Sequence, residues 1–183
     1  MKKSIVIVWA ILITLVTIAA GCSTNTQIFR DEMTKTEVTL SADWTIGEKN
    51  GKAMATSSDE KIGVFMTRDE IPVAALGDLR GKYTLDEYED IERANFLEAF
   101  KQSFFLSLPG AQEGESGFIK LDNGRTACYV VAHTPSITAY VVTFIVDQEG
   151  ITAIAVVQTS SSEYFGKNQK GLEKILKSLK ADE

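Results

Sequence analysis

Thr138 to Val146 (TAYVVTFIV) and Ile151 to Val157 (ITAIAVV) are two strand-forming runs with no polar alternation. Successive side chains of a strand point to opposite faces, so a sheet wet on one side alternates apolar and polar residues. These runs are apolar on both faces, and both faces must be covered. Amphipathic helices are predicted before and after them. The arrangement this dictates is an α+β fold, a central antiparallel sheet of about seven strands sandwiched between helices.

The rest of the chain supplies those parts. Thr36 to Leu40, Lys52 to Ser57 and Lys61 to Arg68 read as three strands, with tight-turn signals at Asn50-Gly51 and Ser58-Asp59-Glu60. Glu70 to Tyr83 reads as a loop, punctuated by Pro72, Gly77 and Gly81. Thr84-x-x-Glu87 has the form of a capping box and opens a predicted long helix with Leu85, Tyr88, Ile91, Asn95, Ala99 and Phe100 on its apolar spacing. That helix should stop before Pro109-Gly110, and Ala111 to Ser116 reads as a polar connection. Phe118 to Leu121 and Arg125 to Ala132 form a hairpin about Asn123-Gly124, and Gln148-Glu149-Gly150 joins the two apolar runs. Ser160 to Ser162 cap a last helix ending near Lys180, with Leu172, Ile175, Leu176 and Leu179 as its stripe.

Three strands, a long helix, four meandering strands and a C-terminal helix resemble the PsbP-like superfamily, which includes bacterial lipoproteins of the DcrB type. The residues carrying the resemblance are Val38-Thr39-Leu40-Ser41-Ala42-Asp43-Trp44 and Gly117 to Arg125 (GFIKLDNGR). The chain lacks the proline usually found just before the family's tryptophan. The resemblance spans roughly Glu37 to Lys180 and implies a non-enzymatic fold used as an interaction module.

The N-terminal stretch sets the location. Lys2 and Lys3 precede an uncharged run from Ile5 to Ala20, followed by small residues and Cys22. As a helix that run would rise roughly 24 Å, against a hydrocarbon core of about 30 Å, so it suits a secretory signal better than a span. Ala19-Ala20-Gly21-Cys22 resembles the bacterial lipobox, with Ala for the usual leading Leu. The resemblance implies cleavage between Gly21 and Cys22, a thioether-linked diacylglyceryl group on Cys22 and, in many members, N-acylation. The alternatives are a plain secretory signal in which Cys22 is incidental, or a short uncleaved span. The expected organisation is a signal at residues 1–21, the lipidated Cys22 with a tether over 22–35, and a single α+β domain over 36–183.

A chain from Cys22 would carry 17 basic and 25 acidic residues, a net charge of −8. That excess argues against nucleic acid or anionic headgroups as binding partners. With Cys22 lipidated only Cys128 remains, in the apolar run Ala127 to Val131, and no internal disulfide is expected.

No catalytic constellation emerges. His133 is the single histidine, next to Thr134-Pro135, and reads as a solvent-facing strand end; no metal-ligand spacing accompanies it. Ser58-Asp59-Glu60-Lys61 matches S-x-x-K, but in a hairpin turn and without the partner motifs. The acidic cluster Asp86 to Glu92 fits the positive end of a helix dipole better than a cation site. Phe96, Phe100, Phe104 and Phe105 exceed one narrow helical stripe and are the candidate lining of a ligand groove. The expected function is a lipid-anchored binding or scaffolding module on the extracytoplasmic face of a bacterial membrane. It would contact an envelope protein, with no cofactor or metal beyond the lipid on Cys22. The rivals are a carrier of a small apolar ligand and an enzyme acting on envelope material.

Overall fold

The computed structural model describes residues 25–49, 51–70, 84–145 and 151–181. The signal, Gly21, Cys22, the loop over 71–83 and the turn over 148–150 lie outside the described residues. Ten described strands form two antiparallel sheets. They are β1 (Thr26–Asp31), β2 (Thr36–Ser41), β3 (Thr45–Lys49), β4 (Lys52–Thr56), β5 (Ile62–Glu70), β6 (Gln112–Lys120), β7 (Thr126–His133), β8 (Thr138–Ile145), β9 (Ile151–Thr159) and β10 (Lys180–Ala181). The large sheet has the order β3-β4-β5-β9-β8-β7-β6, and a small sheet has the order β1-β2-β10. Two helices are described, α1 (Asp90–Ser107) and α2 (Ser162–Lys177).

The doubly apolar runs lie where their composition demands. All eight residues of β8 are buried, between β7 and β9. Tyr140, Val142 and Phe144 face one core, with Phe165, Leu172 and Leu176 of α2 and with Phe29, Val38 and Leu40 of the small sheet. Val141 and Ile145 face the other, with Phe96, Ala99 and Phe100 of α1 and with Leu85 and Tyr88. The seven-stranded antiparallel sheet between helices is thus observed, with the small sheet as an addition to the α2 layer. Thr143, inside β8, donates to the Ala153 carbonyl at 3.2 Å, which removes the cost of burying its hydroxyl.

Several local expectations are corrected. Five strands, not three, precede α1. β1 lies inside the stretch expected to be a tether; it pairs with β2 along its whole length and buries Phe29. Its sequence hides this, because Phe29 is its only buried apolar residue while Ile28 points outward, 59% exposed. β3 fills the unassigned interval before Asn50-Gly51, and Gly51 adopts a φ of 74°, as the tight turn requires. Thr84 does not cap the long helix. It precedes a 3-10 turn over Leu85–Glu87, and α1 starts later, with Glu89 and Glu92 forming the capping box. Leu85 and Tyr88 therefore reach the core from a separate turn, and Ile91, assigned to the apolar face by spacing, is 66% exposed. The expected connection over Ala111 to Ser116 is largely the first half of β6, an edge strand with a register irregularity between Glu113 and Ser116. Polar, exposed residues on an edge strand erase the alternation that would have marked it.

Phe96→Ala should cost about 3–5 kcal/mol, because the ring is fully buried between α1 and the sheet. Ile91→Ala should stay within about 0.5 kcal/mol. Urea unfolding of both variants checks the helix face; equal losses would overturn it.

Candidate functional site

The large sheet is incompletely zipped at one end. β3 and β4 pair at five positions, but β4 pairs with β5 only at Ala55↔Val64 and Thr56↔Gly63. The β3–β4 hairpin therefore projects away from β5 and leaves two adjoining clefts. The larger, about 520 Å³, is lined by Thr45, Thr56, Ser57, Ser58, Thr159 and Ser160, with Lys49, Lys61 and Glu60. The smaller, about 300 Å³, is lined by Lys49, Lys52, Met54, Phe65 and Gln158. Met54 crosses over Gly63, where a Cβ would sit 2.2 Å from its Cε, so the glycine makes room for the thioether at the cleft floor.

The rim is held to α2 by one carboxylate. Asp59 accepts from the Tyr164 hydroxyl at 2.7 Å, from Ser57 Oγ at 2.7 Å and from the Lys61 amide at 3.2 Å. The Tyr164 hydrogen bond, reinforced by those from Ser57 and Lys61, lowers its pKa to about 2. Lys61 Nζ lies 5.2 Å from the centre of the Tyr164 ring. A carboxylate this acidic is a poor base for the neighbouring hydroxyls. The cleft offers hydrogen-bonding groups, the charged side chains of Lys49, Lys52, Lys61 and Glu60, and a short apolar floor. The sequence marked only its turns, because the cleft arises from where β4 stops pairing.

The residues singled out by sequence separate. Gly21 and Cys22 lie outside the described residues. Phe96 and Phe100 are buried in the core beneath α1, and Phe104 and Phe105 pack at its margin, their rings 5.3 Å apart. The space between α1 and the sheet around these four rings is thus occupied by packed side chains. Cys128 is fully buried, and desolvation pushes its thiol well above the usual range. His133 is half-buried rather than solvent-facing. Its Nδ1 lies 3.2 Å from Thr138 Oγ1 and 3.4 Å from Ser162 Oγ, and its ring meets Phe165 edge-on at 6.4 Å.

The acidic cluster is divided among separate partners. Asp86 accepts from the Thr126 amide at 2.7 Å, from its hydroxyl and from Lys120. Asp90 pairs with Arg93, and Glu89 and Glu92 cap α1. Among the described residues no group of three or more His, Cys, Asp or Glu side chains is placed to hold a metal ion. None of the described helices is long and apolar enough to cross a membrane.

No known family profile matches the sequence, and no curated protein matches it. Solved structures do share its fold. Cyanobacterial PsbP (CyanoP) from Synechocystis sp. PCC 6803 is similar with a TM-score of 0.55 at 10% identity, covering 89% of this chain and 96% of that one. The Saccharomyces cerevisiae Ran-binding protein Mog1p gives a TM-score of 0.49 at 8% identity, over 87% of this chain and 96% of its own. At this identity the first likeness establishes a PsbP-like fold and nothing finer.

Burial raises the pKa of Asp86, but Lys120 and Thr126 outweigh it and hold the carboxyl at about 2. A depressed folded-state pKa means the stabilisation is complete above the ordinary value of 3.8 and is lost as pH falls toward 2. Asp86→Asn should therefore lower stability near neutral pH by roughly 1 kcal/mol, and its gap from the unmodified protein should close across that acid range. Urea unfolding as a function of pH checks both the size and the window; a gap constant with pH would contradict the assignment.

Proposed function

We propose that the chain is a lipid-anchored module of the bacterial envelope, fixed through Cys22 on the extracytoplasmic face of the membrane. It binds or scaffolds an envelope protein and carries out no reaction of its own. The signal-like run ending in Ala19-Ala20-Gly21-Cys22 supports the anchor. The observation that carries the binding role is the cleft beside the β3–β4 hairpin. There Lys49, Lys52 and Lys61 gather around hydroxyls and an apolar floor, on a protein whose net charge is −6. A local cationic surface on an acidic domain favours an acidic, extended protein segment. A carrier role for a small apolar ligand has less support, since Phe96 and Phe100 belong to the packed core.

Two measurements test this. Cys22→Ser should release the protein from membranes, or leave the signal uncleaved, in fractionation and intact-mass analysis. A Cys22→Ser form that is cleaved and still membrane-bound would remove the anchor. Mild crosslinking in membranes followed by affinity capture should return a reproducible protein partner. The double variant Lys49→Glu, Lys52→Glu should reduce that capture about tenfold, the scale on which like charges disrupt a docking surface. Capture unchanged by the variant would exclude the cleft; no reproducible partner would exclude the binding role.

A further inference from the structure

The end of the fold nearest Cys22 has a defined geometry. The described chain starts at Asn25, three residues after Cys22. Across that interval the backbone spans at most about 11 Å, whatever its conformation. A tether reaching to residue 35 would have allowed roughly four times as much. The place where the chain enters the fold is pinned. The Asn25 carbonyl accepts from the Ala42 amide at 2.8 Å, and Gln27 Nε2 donates to the carbonyls of Trp44 at 2.7 Å and Ser41 at 3.1 Å. The start of β1 and the turn carrying Trp44 therefore form one surface.

That surface has a groove of about 600 Å³ between the small sheet and α2, lined among others by Thr26, Leu40, Trp44, Asp122, Lys174 and Ile175. The Trp44 side chain is half-buried against the core, and Lys174 is exposed at the groove. An indole with a polar N–H, an aliphatic side chain and a lysine together match the headgroup zone of a bilayer, where one end of a side chain is apolar and the other wet.

We propose that the face bearing Asn25, Trp44 and Lys174 is held against the membrane, with Trp44 at the level of the lipid headgroups. This rests on the lipid-anchor reading of Cys22. The occupant of the groove is the surface of the bilayer that carries the anchor. The length of chain between Cys22 and Asn25 sets the orientation, so the β3–β4 hairpin, which leaves Trp44 directly at Thr45, starts at the membrane face.

The test uses the protein beginning at Cys22, which retains every described strand and helix. It contains a single tryptophan, Trp44, because the other, Trp9, lies before Cys22. Cys22 is coupled to a maleimide-bearing lipid in phosphatidylcholine vesicles that contain headgroup-proximal doxyl lipid as quencher. Cys128 is buried and does not compete for the maleimide, which a Cys22→Ser control verifies by failing to couple. With the native tether, Trp44 emission should fall about twofold on coupling, since a reach of about 11 Å keeps the indole near the quencher. Insertion of a long Gly/Ser segment between Cys22 and Ser23 should restore the emission. No quenching with the native tether, or equal quenching with the lengthened one, would overturn the proposal. The lipid is attached chemically, so this outcome is independent of whether cells lipidate Cys22, which fractionation of the Cys22→Ser form reads separately.

Discussion

β8 is a strand without a wet face, and the architecture depends on that constraint. Its amides and carbonyls are met by β7 and β9, and its side chains need apolar partners above and below. Burying a Val, Ile or Phe side chain fully is worth about 1.5–3 kcal/mol, so eight consecutive buried positions cannot tolerate an uncovered side. α1 and the Leu85 turn cover one face; α2 and the small sheet cover the other. The long connection from β5 to the distant edge strand β6 follows from this, because it must place α1 over the sheet before the meander β6-β7-β8-β9 returns to pair with β5.

What the sequence made legible was what periodicity and turn chemistry encode. The apolar runs at β8 and β9, the Asn123-Gly124 turn and the stripe Leu172, Ile175, Leu176 all express a repeated local signal. β1 was not legible, since a six-residue strand that buries Phe29 and Asp31 while exposing Ile28 has no apolar alternation. The start of α1 was misread because Thr84 and Glu89 both stand three residues before a glutamate, and only the tertiary position of Leu85 decides between them. Of the candidate site, the turns at Asn50-Gly51 and Ser58 to Glu60 were visible. The cleft between them was not, because it depends on the two pairs at which β4 leaves β5, a property of register. The phenylalanines were visible as an excess; burial places Phe96 and Phe100 in the core and leaves Phe104 and Phe105 at its margin.

The hairpin and the rim differ in how they are held. β3 is exposed along its whole length and pairs with β4, whereas the adjacent turn is fixed to α2 through Asp59 and Tyr164. A projecting two-stranded arm gains little from its own pairing, and rigidity in its surroundings comes from packing. The cleft therefore has one wall built into the core and one that stands on two ladder positions. Against those two positions, β5 is joined to β9 by nine.

The small sheet closes the chain on itself. β2, near the beginning, is completed by β10, the last two described residues, and the Thr39 amide donates to Ser178 Oγ across 139 residues of sequence at 2.8 Å. This is a clasp between the first and last described segments. β10 extends the second edge of β2, while Phe29, Val38 and Leu40 share one core with Leu172, Leu176 and Leu179. Loss of Lys180 and Ala181 would be felt first at Glu37 and Thr36, across β2 from Arg30 and Asp31.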